Sequence, residues 1–163
     1  MRSLLRNPSN NTWTYIDLKI NHLEAFKEVY GFLAGNDVQR FTALLLGEVV
    51  DELGTPNDFV GHPGGDNFII ITHSPDPEAM RGRIETRFEN EIKQHYSFID
   101  RERGYVIVQS EGIERQAPLM TISTGAVSAR MHTFADIREI TELAAEDRRS
   151  GGQAAIEDYE TEW

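Results

Sequence analysis

The chain has 163 residues, of which 39% are hydrophobic and 26% are charged, and its formal net charge at pH 7 is −11. This length predicts about one domain with a sizeable core, and no apolar run approaches the roughly 20 residues of a membrane helix, so no membrane span is expected. The negative charge argues against a nucleic-acid partner, because contact with a phosphate backbone needs clustered Lys and Arg.

Cysteine usage and the distribution of turn-forming residues bear on location and domain limits. The chain contains no cysteine, which excludes disulfides and thiolate metal sites, and it starts without a charged-then-apolar signal segment, so we expect a cytoplasmic protein. Residues 1–12 are rich in turn formers and predict a linker. Residues 13–152 are predicted to form the domain, and residues 153–163 an acidic, solvated tail.

The first predicted elements are a strand and a short helix. Residues 13–18 are rich in aromatic and β-branched side chains, which predicts a buried central strand ending at Asp17. A carboxylate at the end of a strand is well placed for chemistry, although a plain strand-terminating Asp fits the pattern equally well. In residues 22–30 the apolar positions recur at helical spacing, and Gly31 ends that helix.

A longer helix is predicted over residues 38–53. Its apolar residues mark one face, and Gly54 closes it. Asn36 or Asp37 is expected to cap its N-terminus, because a side-chain oxygen there can accept from the free N–H groups of the first turn. Capping is the plain structural explanation of both residues.

The next pair of elements flanks a Pro-Gly-Gly-Asp corner. Residues 58–62 and 67–72 predict the strands of a tight hairpin, because Gly64 and Gly65 adopt turn conformations at little cost. Asp66 then stands at the exposed tip. Such a corner brings backbone close to a ligand and adds one carboxylate, which suits a phosphate-bound Mg²⁺. The alternative is an ordinary Gly-Gly hairpin with a solvated Asp.

The rest of the chain predicts a helix, a second hairpin and a final helix. Asp76 and Pro77 begin a helix with an apolar seam. Residues 101–109 and 118–127 predict two strands that pair as an antiparallel hairpin across a polar loop. A capping box near Thr133 begins the last helix. This order predicts an α+β, ferredoxin-like fold, in which helices flank a central, mostly antiparallel sheet.

Three segments of the chain resemble one known family. Residues 64–68, Gly-Gly-Asp-Asn-Phe, resemble the GGDEF signature of diguanylate cyclases. Residues 30–36 resemble that family's Tyr-Gly-His-x-x-Gly-Asp segment, and residues 120–125 resemble its Ser-x-Gly strand. The likeness spans residues 13–152 in the family's order. It implies a palm of the nucleotidyl cyclase type, whose active members bind GTP and Mg²⁺, form face-to-face homodimers and join two GTP into cyclic di-GMP.

The resemblance implies a metal site built on two carboxylates. Asp66, at the third signature position, is implied as a catalytic residue and a metal ligand, because the metal neutralises charge that develops during phosphoryl transfer. The family's Asp-x-Asp matches Asp17 if two residues are inserted before the first helix. Without that insertion, Lys19 and Asn21 stand at the two positions. We prefer Asp17 as the second metal ligand because it then ends the strand.

Other positions depart from the family pattern. The fourth signature position, implied as catalytic, is Asn67 rather than Glu, so an amide replaces a carboxylate. The residues implied to bind the nucleotide are the turn residues Gly64 and Gly65, the guanine-reading positions Lys27 and Asn36, and the phosphate-clamp cation Arg148. Lys offers donors only, which leaves the N–H groups of guanine without an acceptor. In the family's product site, Arg-x-x-Asp, only Asp58 remains.

These departures predict a degenerate GGDEF-type signalling domain. We expect little or no cyclase activity and weak binding of GTP or a related nucleotide, because several losses around one metal act together. One alternative is an active diguanylate cyclase. Another is a protein-interaction module without a nucleotide site, which docks on an upstream sensor or receiver domain.

Overall fold

The computed structural model of the chain describes residues 13–128 and 137–151. The predicted linker at 1–12, the acidic tail at 153–163 and the capping box near Thr133 lie outside these residues. Among the helices that are described, none combines the length and the apolarity needed to cross a bilayer.

The described residues form strands, α-helices and one short 3₁₀ helix. The strands are β1 Thr14–Asn21, β2 Phe59–Gly64, β3 Asn67–Thr72, β4 Tyr105–Ser110, β5 Ile113–Pro118 and β6 Thr121–Ser128. The α-helices are α1 Leu23–Tyr30, α2 Phe32–Leu53, α3 Pro77–Glu91, α4 Phe98–Arg103 and α5 Ile137–Arg149, and the 3₁₀ helix is Ile92–His95.

The main sheet has the strand order β2-β3-β1-β6, and all of its neighbouring pairs are antiparallel. Strands β4 and β5 form a separate antiparallel pair. On the central strand, Asp17 lies opposite Ile69 of β3 and Gly125 of β6. The predicted α+β fold with helices flanking a mostly antiparallel sheet is therefore confirmed.

Strand β1 separates two apolar layers. Three of its residues are fully buried in the larger cluster with α1, α2 and α3: Ile16, Leu18 and Ile20. Tyr15 belongs instead to a smaller cluster with Ile140 and Ala144 of α5. Because strand side chains alternate between faces, Asp17 and Lys19 lie on the same side as Tyr15. The fold thus presents the polar residues of β1 to the face that α5 covers.

Two predicted boundaries were wrong. Strand β1 continues to Asn21, so Asp17 lies within the strand and not at its end. Helix α2 begins at Phe32, so Asn36 and Asp37 lie inside it, and neither residue caps it. The Gly31 backbone has a φ of 101°, a conformation that lets α1 end and α2 begin with one residue between them. By contrast, Asp76 does cap α3, where it accepts from the Ala79 N–H.

The predicted hairpin between residues 101–109 and 118–127 was also wrong. The first part of that range lies in α4, which Ser97 caps, and β4 pairs with β5 through the turn Glu111-Gly112. Both turn residues have positive φ, 53° and 79°, as a tight two-residue hairpin requires. Most residues of β5 are exposed, which is why their polar sequence resembles a loop. Strand β6 pairs with β1 in the main sheet.

Candidate functional site

The turn between β2 and β3 is anchored on two sides. Gly65 and Asp66 form it, with Gly65 at a φ of 56°, as the sequence predicted. The Gly65 carbonyl accepts from Gln39 Nε2 of α2 at 2.9 Å, and His62 Nε2 lies at the same distance. On the other side, the Ile20 N–H of β1 donates to the Asp66 carbonyl at 2.8 Å. These contacts fix the turn against both α2 and the end of β1.

A lysine of β1 faces the Asp66 carboxylate. Lys19 Nζ lies 4.0 Å from Asp66 Oδ2, and the two side chains are 42% and 38% exposed. Lys19 is paired with Asn67 in the sheet register, which places it beside the turn. The β1 residue that the structure brings to Asp66 is therefore Lys19.

Asp17 lies deeper under α5 and has two partners of its own. Its Oδ1 accepts from Asn67 Nδ2 at 2.9 Å, and its Oδ2 forms an ion pair with Arg148 Nε. The Asp17 and Arg148 side chains are only 7% and 13% exposed. The same Asn67 amide donates to the Leu18 carbonyl at 2.7 Å. Each oxygen of this carboxylate therefore has a donor from within the chain.

A cleft of about 420 Å³ opens beside this group. Asp17 and Asn67 line it from the sheet, Pro63 from the hairpin, and Arg149 from α5. Tyr15 also lines the cleft, and burial together with the neighbouring Asp17 carboxylate raises the pKa of its phenol. The cleft thus presents charged and amide groups between the hairpin and α5.

Helix α5 approaches β6 closely at Gly125. A Cβ added there would meet the backbone nitrogen of Arg148 and would lie 2.5 Å from the Ala144 carbonyl oxygen. Next to it, the Ala126 N–H donates to Asp147 Oδ2 at 2.7 Å. Because β6 is an edge strand, this bond gives a partner to a backbone N–H that has none in the sheet. No local sequence pattern indicates this role of Asp147. The contact places Arg148 over the sheet at the level of Asp17.

Comparison with known proteins identifies the family. A family model described as "Diguanylate cyclase, GGDEF domain" matches residues 2–149. The chain belongs to the GGDEF family.

Solved structures that resemble this chain include GGDEF domains. The active GGEEF domain of a diguanylate cyclase from Vibrio cholerae has a TM-score of 0.63 at 18% identity, covering 85% of this chain and 75% of that one. An EAL/GGDEF domain protein from M. capsulatus has a TM-score of 0.58 at 14% identity, and the match covers 90% of this chain and 80% of that one. The GGDEF domain of DgcB from Caulobacter crescentus, in complex with c-di-GMP, has a TM-score of 0.53 at 15% identity, and the match covers 88% of this chain and 72% of that one. At these low identities, the TM-scores show a shared fold and nothing further. No curated protein matches the chain.

The two positions predicted to read guanine in this GGDEF domain lie close together. Lys27 passes over the start of α2, since a Cβ added at Gly35 would meet its Cγ and Cδ at 2.5 Å. Its ammonium group lies 3.1 Å from Glu24 Oε2. Asn36, the residue after Gly35, is partly buried in the first turns of α2. Both residues lie on helices of the larger core, on the opposite face of the sheet from Arg148.

The contacts of Asp17 and Asp66 decide whether the Mg²⁺ that the family implies fits these residues. Asp17 pairs with Arg148, and Asp66 pairs with Lys19. The two β1 residues of these pairs, Asp17 and Lys19, are two positions apart on the strand. Within residues 13–128 and 137–151, no group of three or more His, Asp or Glu residues is arranged to hold a metal ion. The arrangement does not fit a divalent ion that both carboxylates share, because each carboxylate already faces its own cation of the chain.

Asp58, the remaining residue of the product-site pattern, is an internal anchor. Its side chain is fully buried and accepts from the Thr55 hydroxyl, the Thr72 hydroxyl and the His73 N–H, at 2.6, 2.5 and 2.9 Å. Burial alone would raise the pKa of this carboxyl, but the three hydrogen bonds outweigh it and lower the pKa. Asp58 therefore ties the loop before β2 to the end of β3.

Proposed function

We propose that this chain is a degenerate GGDEF signalling domain. It has little or no diguanylate cyclase activity and binds a guanine nucleotide weakly as a regulatory module. The supporting observation is the contact of Asp17 with Asn67 and Arg148, which engages three of the predicted site residues with one another. Groups that are held by such contacts must first be separated before they can act on a substrate.

The fourth signature residue supports a loss of turnover. Asn67 supplies an amide where the family has a carboxylate, and that amide donates to Asp17 and to the Leu18 carbonyl. A neutral amide neither holds a metal ion as strongly as a carboxylate nor accepts a proton. The negative charge of the signature turn is accordingly reduced to Asp66.

Weak recognition of guanine is supported by Lys27 and Asn36. Asn36 offers both a donor and an acceptor, whereas Lys27 offers donors only and already contacts Glu24. A base-reading site that lacks its acceptor loses a large part of its discrimination, because the N–H groups of guanine are then left unpaired.

The test of this proposal is product formation. The chain is incubated with GTP and Mg²⁺ or Mn²⁺, and cyclic di-GMP is quantified by chromatography beside an active GGDEF domain at the same concentration. We expect no product above the protein-free blank. Formation of cyclic di-GMP at a rate near that of the active domain would overturn the proposal in favour of an active cyclase.

A second candidate function is protein interaction, which exposed apolar residues favour. The Tyr30 hydroxyl contacts Asp100 Oδ2 at 2.5 Å and the Ser97 N–H at 2.8 Å, which ties the end of α1 to α4. The flanking large apolar side chains are more than 60% exposed: Phe32, Leu33, Phe98 and Ile99. Such a surface suits an upstream sensor or receiver domain, or a second copy of the chain. If this is the whole function, GTP with Mg²⁺ leaves the melting temperature unchanged.

A further inference from the structure

We propose that Lys19 is the built-in cation of this site, so that the chain holds a phosphate-bearing ligand without a divalent metal ion. The ligand's identity as a guanine nucleotide rests on the proposed function. The assignment of Lys19 as the cation rests on the contacts of β1 with the signature turn.

The position of Lys19 is fixed by the sheet. It pairs with Asn67 in the register of β1 and β3, and the next residue, Ile20, donates its N–H to the Asp66 carbonyl. These backbone bonds keep the Lys19 side chain beside Asp66, with Nζ 4.0 Å from Oδ2. The pairing therefore follows from strand register as well as from the flexible side chain itself.

The chemistry of lysine excludes a metal ion at the same place. An ammonium group has three donors and no acceptor, so it cannot ligate a metal ion, and its positive charge repels one. It also pairs with Asp66, the carboxylate that would otherwise attract a cation to the turn. The second carboxylate on this face, Asp17, is neutralised by Arg148. Both carboxylates of this face thus already have a cation of the chain as a neighbour, and that cation opposes the approach of Mg²⁺.

Lys19 remains accessible to a ligand. Its side chain is 42% exposed, so ammonium hydrogens that do not face Asp66 can reach solvent. A phosphate oxygen is a strong acceptor, and a lysine ammonium binds it as a point charge. A phosphate that approaches the turn would therefore meet Lys19 directly, where the family relies on a metal ion.

The assignment of Lys19 as the cation is tested with Mn²⁺ in the absence of nucleotide. Binding of Mn²⁺ to the chain is measured as the loss of the electron paramagnetic resonance signal of the free ion. Because the chain is acidic, adventitious binding is subtracted with Asp66→Asn as the matched control. We expect the wild-type chain and Asp66→Asn to bind the same amount of Mn²⁺. Lys19→Asp should bind one further ion per chain, and the double variant Lys19→Asp/Asp66→Asn should lose it.

Two results would overturn the cation assignment. One is Mn²⁺ binding by the wild-type chain that Asp66→Asn removes. The other is a folded Lys19→Asp variant, verified by its melting curve, that gains no ion.

The second part of the proposal, that a phosphate-bearing ligand binds without a metal ion, is tested by measuring the affinity for GTP by equilibrium dialysis, once in EDTA and once in Mg²⁺. We expect dissociation constants within about twofold of each other, and a loss of binding of about tenfold in Lys19→Met, whose side chain keeps the stem and lacks the charge. A wild-type affinity that falls tenfold or more in EDTA, or the absence of binding in both buffers, overturns it. Product formation from GTP is a separate readout that would overturn the proposed loss of cyclase activity and leave the Lys19 assignment standing. Binding of GTP that depends on Mg²⁺ would overturn this inference and leave the proposed weak nucleotide binding standing.

Discussion

The Asn67 amide donates a hydrogen bond of 2.9 Å to Asp17 Oδ1, from strand β3 to strand β1. Asp17 lies opposite Ile69 in the register, so Asn67 reaches it diagonally on the same face of the sheet. The carboxylate of Asp17 is buried, and Arg148 approaches its other oxygen. The residue that replaces the signature Glu is therefore part of a packed polar group.

Restoring the signature with Asn67→Glu should destabilise the domain without producing activity. The change places a second carboxylate beside Asp17 and removes the donor to the Leu18 carbonyl. We expect a loss of about 1–3 kcal/mol in the free energy of unfolding, measured by urea denaturation. Asn67→Ala, which removes the donor without adding charge, should lose less. A variant Asn67→Glu that is as stable as wild type and makes cyclic di-GMP would contradict this prediction.

Breaking the ion pair between Arg148 and Asp17 should cost more than removing a surface charge. Arg148→Met leaves a buried carboxylate with a single donor, and we expect a loss of about 3 kcal/mol in the free energy of unfolding. Arg149→Met, at the exposed neighbouring position, is the matched control and should change stability by less than about 0.5 kcal/mol. The double variant Asp17→Asn/Arg148→Met should recover part of the loss. Additive losses would show that the two residues are not coupled.

Gly125→Ala should displace helix α5. The added methyl group would lie 2.5 Å from the Ala144 carbonyl oxygen and would also meet the backbone of Arg148, and backbone atoms cannot move aside as a side chain can. We expect a loss of about 2 kcal/mol or more in thermal denaturation. Gly82→Ala, in α3 with open space around it, should instead stabilise by about 0.5–1 kcal/mol. Equal effects of the two changes would argue against the close packing of α5.

The buried carboxylate of Asp58 should make stability depend on pH in the acid range. Its pKa is lower in the folded chain than in the unfolded chain, so its contribution is present above about pH 4 and is lost as the pH falls through the folded value. Asp58→Asn should lose about 1–3 kcal/mol at pH 7, because one acceptor facing Thr72 or His73 becomes a donor. The deficit should shrink as the pH falls below about 4. A deficit that stays constant between pH 7 and pH 3 would contradict this assignment.

The sequence determined the signature turn and the class of fold. Gly64, Gly65 and Asp66 predicted a tight hairpin because glycine adopts the turn conformation cheaply, and the structure has that turn at Gly65-Asp66. Helical spacing predicted α1 and most of α2, and the order of elements predicted the layered α+β arrangement. These features depend on residues near one another in the chain, so local patterns were sufficient.

The tertiary structure decided which residues meet at the site. Asp17 and Lys19 share one face of β1, and only the pairing of β1 with β3 shows that Lys19 meets Asp66 while Asp17 meets Asn67. The partner of Asp17 on α5, Arg148, is 131 residues away along the chain. Strand register and helix packing bring together residues that are far apart in the chain. The local patterns of a single sequence do not show which distant residues meet. For that reason, the sequence did not predict which of these residues pair with one another.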